Sequence, residues 1–116
     1  MTLSLDSDVD RFRQILGELQ THPRMFVLDD GYVSLVAFID GLALGTDGGV
    51  LDGFREWLVR EVIGTPDSRH WSVLVASRVS HDVREGRRSL AAMSAEEQAH
   101  ASAELFTLLM RYLRVG

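Results

Sequence analysis

Cysteine is absent from these 116 residues, and with it go disulfides, thiolate zinc centres and cysteine nucleophiles. Lysine is absent too, so all 12 basic residues are Arg. No lysine Schiff base, phosphate-loop lysine or lysine general base can operate here. Asparagine is also missing, and the shared loss of Lys and Asn is what a GC-rich coding sequence produces. The longest apolar stretches are broken by Asp or Gly well before the 18 residues a membrane span needs. The opening MTLSLDSDVD is acidic and lacks the basic start and apolar run of a secretion signal. The expectation is a cytoplasmic chain with no membrane and no cofactor.

What is present describes an ordinary folded protein. The 46% hydrophobic and 25% charged shares exclude a disordered chain, and the length suits one domain over residues 1–116. The net charge of −5 is unevenly spread. Residues 1–68 hold 12 acidic residues against five Arg, whereas residues 69–116 hold five against seven. An acidic surface repels phosphate backbones and attracts basic surfaces, which disfavours nucleic acid and favours a basic protein as partner.

Periodicity predicts helices. Val9, Phe12, Leu16 and Leu19 recur at helical spacing, with Ser7 placed to cap the start and His22-Pro23 to end it. Residues 24–28, RMFVL, read as an extended segment or short strand. Residues 31–45 are apolar nearly all round, which predicts the central helix of the domain, buried on most faces or packed on a partner. Val50, Phe54, Trp57, Leu58 and Val62 mark another helix, ended by Gly64. Residues 71–79 fit helix or strand, with helix favoured. Residues 80–93 have weak periodicity and read as a mobile connection. Ser94 and Glu97 form a capping-box signature for a last helix, with Ala99, Ala103, Phe106, Leu109, Met110 and Leu113 as its buried stripe. The expected fold is therefore all-α, a compact bundle of four or five helices. The alternative is α+β, with strands near 24–28 and 71–79.

A search for chemistry finds little. Asp6, Asp8 and Asp10 resemble the start of a calcium loop, but its sixth and twelfth positions are Arg11 and Gly17, where Gly and an acid are needed. His81-Asp82 could supply two metal ligands, yet His22, His70 and His100 stand at no ligand spacing from it. Ser72, His81 and Asp82 could be assembled into a triad, but no nucleophile elbow or oxyanion loop accompanies them. The cluster Arg84, Arg87, Arg88 reads as a solvated loop without aromatic residues for base stacking. Trp57 and Trp71 read as core residues before interface anchors. No catalytic and no metal residue is assigned.

The acidic residues around the apolar helix form the candidate partner-binding set: Asp29, Asp30, Asp40, Asp47, Asp52 and Glu56. Caps and turns account for Asp29, Asp30 and Asp47. Asp40 is harder to place, because it interrupts an apolar helix where burying a charge is costly. It is either exposed on an interface-like surface or paired with an Arg inside.

The stretch RMFVLDD, the apolar helix ending GLALGTDGG, then GFREWLV and HWSVLV, resembles small bacterial immunity-type proteins that accompany secreted or contact-delivered toxins. The likeness covers residues 24–75 and assigns no residue a role. It implies a small cytoplasmic protein that binds a toxin domain without catalysis. The expected function is thus a non-catalytic protein-binding module, with a homo-oligomeric adaptor, such as a homodimer, as the alternative and a small enzyme using His70 or His81 behind both.

Overall fold

The computed structural model describes residues 5–22, 31–46 and 49–115, the side chains of 5–7 and 115 excepted. Among these residues the chain is all-α, with no strand. Helix α1 spans Leu5–Thr21 and α2 spans Tyr32–Leu44. Helix α3, Phe54–Leu58, runs on into a π-helical turn, Val59–Ile63. Two short helices follow, α4 at Trp71–Ala76 and α5 at His81–Arg84. A 3₁₀ turn at Leu90–Ala92 then leads into the long α6, Ala95–Val115. Among the described residues six α-helices thus stand where four or five were expected, because α4 and α5 are separate short pieces.

The core gathers the buried faces of all of these, from Phe12, Leu16 and Leu19 of α1 to Leu105, Leu109 and Leu113 of α6. The organising helix is α6, which packs against α1, α2 and α4. That role was expected of residues 31–45. Amphipathicity explains the exchange, since α6 offers one continuous stripe while α2 has no polar face to direct it. The α6 stripe itself is Ala101, Leu105, Phe106, Leu108, Leu109 and Leu113, whereas Ala99 and Ala103 lie outside. Alanine is small enough to sit on either side.

Residues 71–79 are not a strand. Trp71, Ser72, Leu74, Val75 and Ala76 are all buried, a pattern that alternating strand geometry cannot produce. The α4 start is fixed by His70, whose Nδ1 accepts the Ser72 backbone N–H at 3.1 Å. The strand considered near 24–28 lies outside the described residues. Ser7 falls within α1 and not before it.

The π-helical turn ends at Gly64, whose φ of +84° closes it as expected, its N–H donating to the Val59 carbonyl at 2.8 Å. Around Phe54 the rings of Trp57, Trp71 and Tyr112 pack with centroids 5.1–6.1 Å away, so both tryptophans are core residues.

The connection 80–93 is pinned by specific contacts. Ser80 caps α5, the Asp82 carbonyl accepts the N–H groups of Arg87 and Arg88, and Val83 and Met93 are buried. Arg88 bridges the Asp82 carboxylate at 2.9 Å and that of Glu97 at 3.1 Å. The capping box forms as expected: Glu97 N–H donates to Ser94 Oγ at 3.1 Å, and Ser94 N–H to Glu97 Oε1 at 2.9 Å. The Ser94 N–H bond, then the Ser80 side chain and Arg88, hold the Glu97 carboxyl below the usual range.

Candidate partner-binding surface

Helix α2 starts without a side-chain cap of its own. Gln98 of α6 supplies one, its Oε1 accepting the Tyr32 N–H at 3.1 Å. At the other end of the same residue, the Tyr32 hydroxyl donates to the Ser72 carbonyl at 2.7 Å. Burial pushes this phenol's pKa far up, because nothing there would solvate its anion. Tyr32, Leu35, Ile39 and Ala43 form the buried side.

The other side is a surface. Val33, Ala37, Asp40 and Leu44 follow at intervals of four, three and four, which places them on one stripe. Val33 is 44% and Leu44 84% exposed. Asp40 sits in the middle of this stripe with 47% of its side chain exposed. Among the described residues no Arg pairs with it; the nearby group is His70 Nε2, 3.9 Å from Oδ2. Because His70 Nδ1 accepts from the backbone and the hydroxyl of Ser72, the ring proton belongs on Nε2, toward Asp40.

Beside Leu44, a groove of about 200 Å³ is lined by Asp40, Leu44, Leu51, Asp52 and Trp71, with Ala43, Thr46 and Gly49 completing it. Two members of the expected acidic set, Asp40 and Asp52, therefore share one groove. The Asp52 carbonyl accepts the Tyr112 hydroxyl at 2.7 Å, and its carboxylate has no cation partner among the described residues. Glu56 does not line this groove and is paired with Arg55 at 2.5 Å. It still lies close enough to act on Tyr112, whose pKa is raised first by burial, then by Asp52 and Glu56. Asp29, Asp30 and Asp47 lie outside the described residues.

The residues considered for chemistry are held in other duties. Ser72 is 4% exposed and bonded to His70 at 2.7 Å, so its hydroxyl is closed to a substrate. His81 is bonded to Arg84, and Asp82 to Arg87 and Arg88. Ser72, His81 and Asp82 are therefore not one site. Among the described residues no three His, Asp or Glu side chains gather to hold a metal ion, and no helix is long and apolar enough to cross a membrane. Arg84, Arg87 and Arg88 are exposed, as the solvated reading expected, and each also stands in an ion pair.

Sequence reasoning named His70 only as a catalytic candidate and missed its cap on α4, its place beside Asp40 and the exposed stripe. The stripe's signal was the four-three-four spacing itself, but in a helix with so few polar residues either side could have faced inward. Compared with protein-family models, curated proteins and solved structures, the chain matches none of them.

Proposed function

We propose that this chain is a non-catalytic protein-binding module whose α2 surface receives a basic protein. In its most concrete form the partner is a toxin domain that the chain neutralises in the cytoplasm. The observation that carries this reading is the stripe Val33, Ala37, Asp40, Leu44, an apolar strip with a carboxylate at its centre and Asp52 across the adjoining groove. Its complement is an Arg flanked by apolar side chains. The apolar contacts would contribute affinity at about 25 cal/mol per Å² buried, and the carboxylates would steer encounter. A specific interface buries roughly 1,200–2,000 Å² in total, so the stripe is the centre of the contact and neighbouring acids its rim. The likeness to immunity-type proteins adds to this reading.

The same surface could receive a second copy, since Leu44 is so far exposed. Antiparallel pairing of two α2 stripes, however, would bring the two Asp40 side chains together, and like charges there oppose it. Light scattering is expected to give a monomer.

The test is co-expression with the product of the adjacent reading frame, followed by calorimetric titration of the two purified proteins. The expected result is protection from that product's toxicity and a complex that Asp40→Arg or Leu44→Glu weakens at least about thirtyfold, a loss of roughly 2 kcal/mol typical of a hot spot. Absence of a complex at micromolar concentrations, or one indifferent to both substitutions, would sink the reading.

A further inference from the structure

A second concavity, away from the acidic set, has the opposite chemistry. It is a cleft of about 490 Å³, within the size range of small-ligand sites, whose charged lining is three arginines, Arg69, Arg78 and Arg84, against one carboxylate, Asp67. They reach it from three separate places: the loop before α4, the turn after α4, and the end of α5. In a chain of net charge −5 such convergence is not a consequence of composition.

Arg69 is the fixed element. Asp67 takes its Nε and Nη2, the latter at 2.8 Å, while Nη1 donates to the carbonyls of Val83 and Arg84 at 3.2 Å. The Arg69 hydrogen bond is the main reason the Asp67 carboxyl is held below its usual range, and Arg69 is held above its own. This pair closes one wall and ties the loop to α5.

Arg78 and Arg84 differ from it in what they leave over. Arg78 meets Glu104 through Nε alone, and Arg84 has Glu85 3.9 Å from Nε and bonds His81 through Nη2. Among the described residues, both Nη nitrogens of Arg78, Nη1 of Arg84 and the Thr65 hydroxyl have no hydrogen-bond partner. Three of the residues lining one cleft thus have donors to spare. Guanidinium forks match the paired oxygens of a carboxylate or phosphate. The remaining wall is apolar, Val62 and Ile63, presented by the π-helical turn, a distortion frequent at functional sites.

We propose that this cleft binds a small organic oxyanion, a carboxylate or phosphate monoester, whose apolar substituent lies on Val62 and Ile63. Its head is bonded by Arg78, Arg84 and Thr65.

The test is titration of the whole protein at low ionic strength with phenyl phosphate, benzoate and inorganic phosphate, followed by calorimetry. One of the two aromatic anions is expected to saturate at about millimolar or lower concentration, and inorganic phosphate about tenfold more weakly for lack of the apolar contact. Whichever aromatic anion binds more tightly identifies the head group. Arg84→Gln, on an exposed side chain, is expected to weaken binding about tenfold with an unchanged melting temperature, the size of one charge-assisted bond. Arg114→Gln, in the last turn of α6, is expected to leave binding unchanged. The proposal is overturned by the absence of saturation with either aromatic anion, or by equal weakening from Arg84→Gln and Arg114→Gln, which would reveal attraction to charge in general. Thr65→Val provides a second reading that leaves every ion pair intact and is expected to weaken binding severalfold.

Discussion

Helices α6 and α2 pack against one another yet are built on opposite principles. Helix α6 carries its own start signal, the Ser94–Glu97 box, and sorts its residues into a buried stripe and an exterior of charged, polar and alanine residues. Helix α2 takes its cap from Gln98 and is apolar on both sides, so that Val33 and Leu44 remain in contact with water. The first pattern is what stability alone would select. The second leaves apolar surface uncovered with a carboxylate at its centre, and folding gains nothing from that arrangement. A contrast between neighbours in one core separates residues that hold the fold from residues left free for the proposed contact.

That contrast can be broken at several places. The largest effect is expected from Leu109→Ala, which empties a fully buried position on α6 and should cost about 2–5 kcal/mol in denaturant unfolding. Tyr32→Phe should cost about 0.5–1.5 kcal/mol, because it removes a buried hydrogen bond to the Ser72 carbonyl. The same residue predicts a pH dependence. Its phenol stays protonated in the fold, while in the unfolded chain it ionises near its ordinary value of 10.0. Stability is therefore intact below that pH and falls above it, by up to about 1.4 kcal/mol per pH unit for this group. Urea titrations at pH 9 and pH 11 should show a steeper loss for the parent chain than for Tyr32→Phe. Ser94→Ala should cost about 1 kcal/mol by removing half of the α6 box, read as a drop in melting temperature. Leu44→Ser is expected to change stability by less than about 0.5 kcal/mol, so any loss of partner binding it causes is not a folding defect.

Much of the fold was legible because its signals are local. The stripe of α1, the Gly64 terminator and the α6 box each lie within a few residues of the element they define. The parts that were not legible depend on contacts between elements or on a residue in an unusual local role. The 80–93 connection is ordered by Arg88 reaching Glu97, and neither residue announces this in its own neighbourhood. The α4 start rests on His70, a residue seldom assigned to capping. Of the acidic set, Asp40 and Asp52 meet across one groove and Glu56 is neutralised by Arg55, a division that Asp40's place opposite Ile39 explains only once the buried side of α2 is known. Uniform hydrophobicity carries no orientation, so only the packing on α6 could reveal which residues of α2 face out.

Tyr32 illustrates a consequence of borrowing a cap from another helix. It is the first residue of α2, a position where amides ordinarily fray and trade their hydrogen with water quickly. Here the amide is bonded to Gln98, itself anchored through Nε2 to the Met93 carbonyl, while the ring's far end is bonded to α4. That amide should therefore exchange as slowly as mid-helix positions, and its protection should collapse together with that of α6 and α4 in a single step. A helix end fastened in this way keeps its outward stripe in place without help from any other molecule.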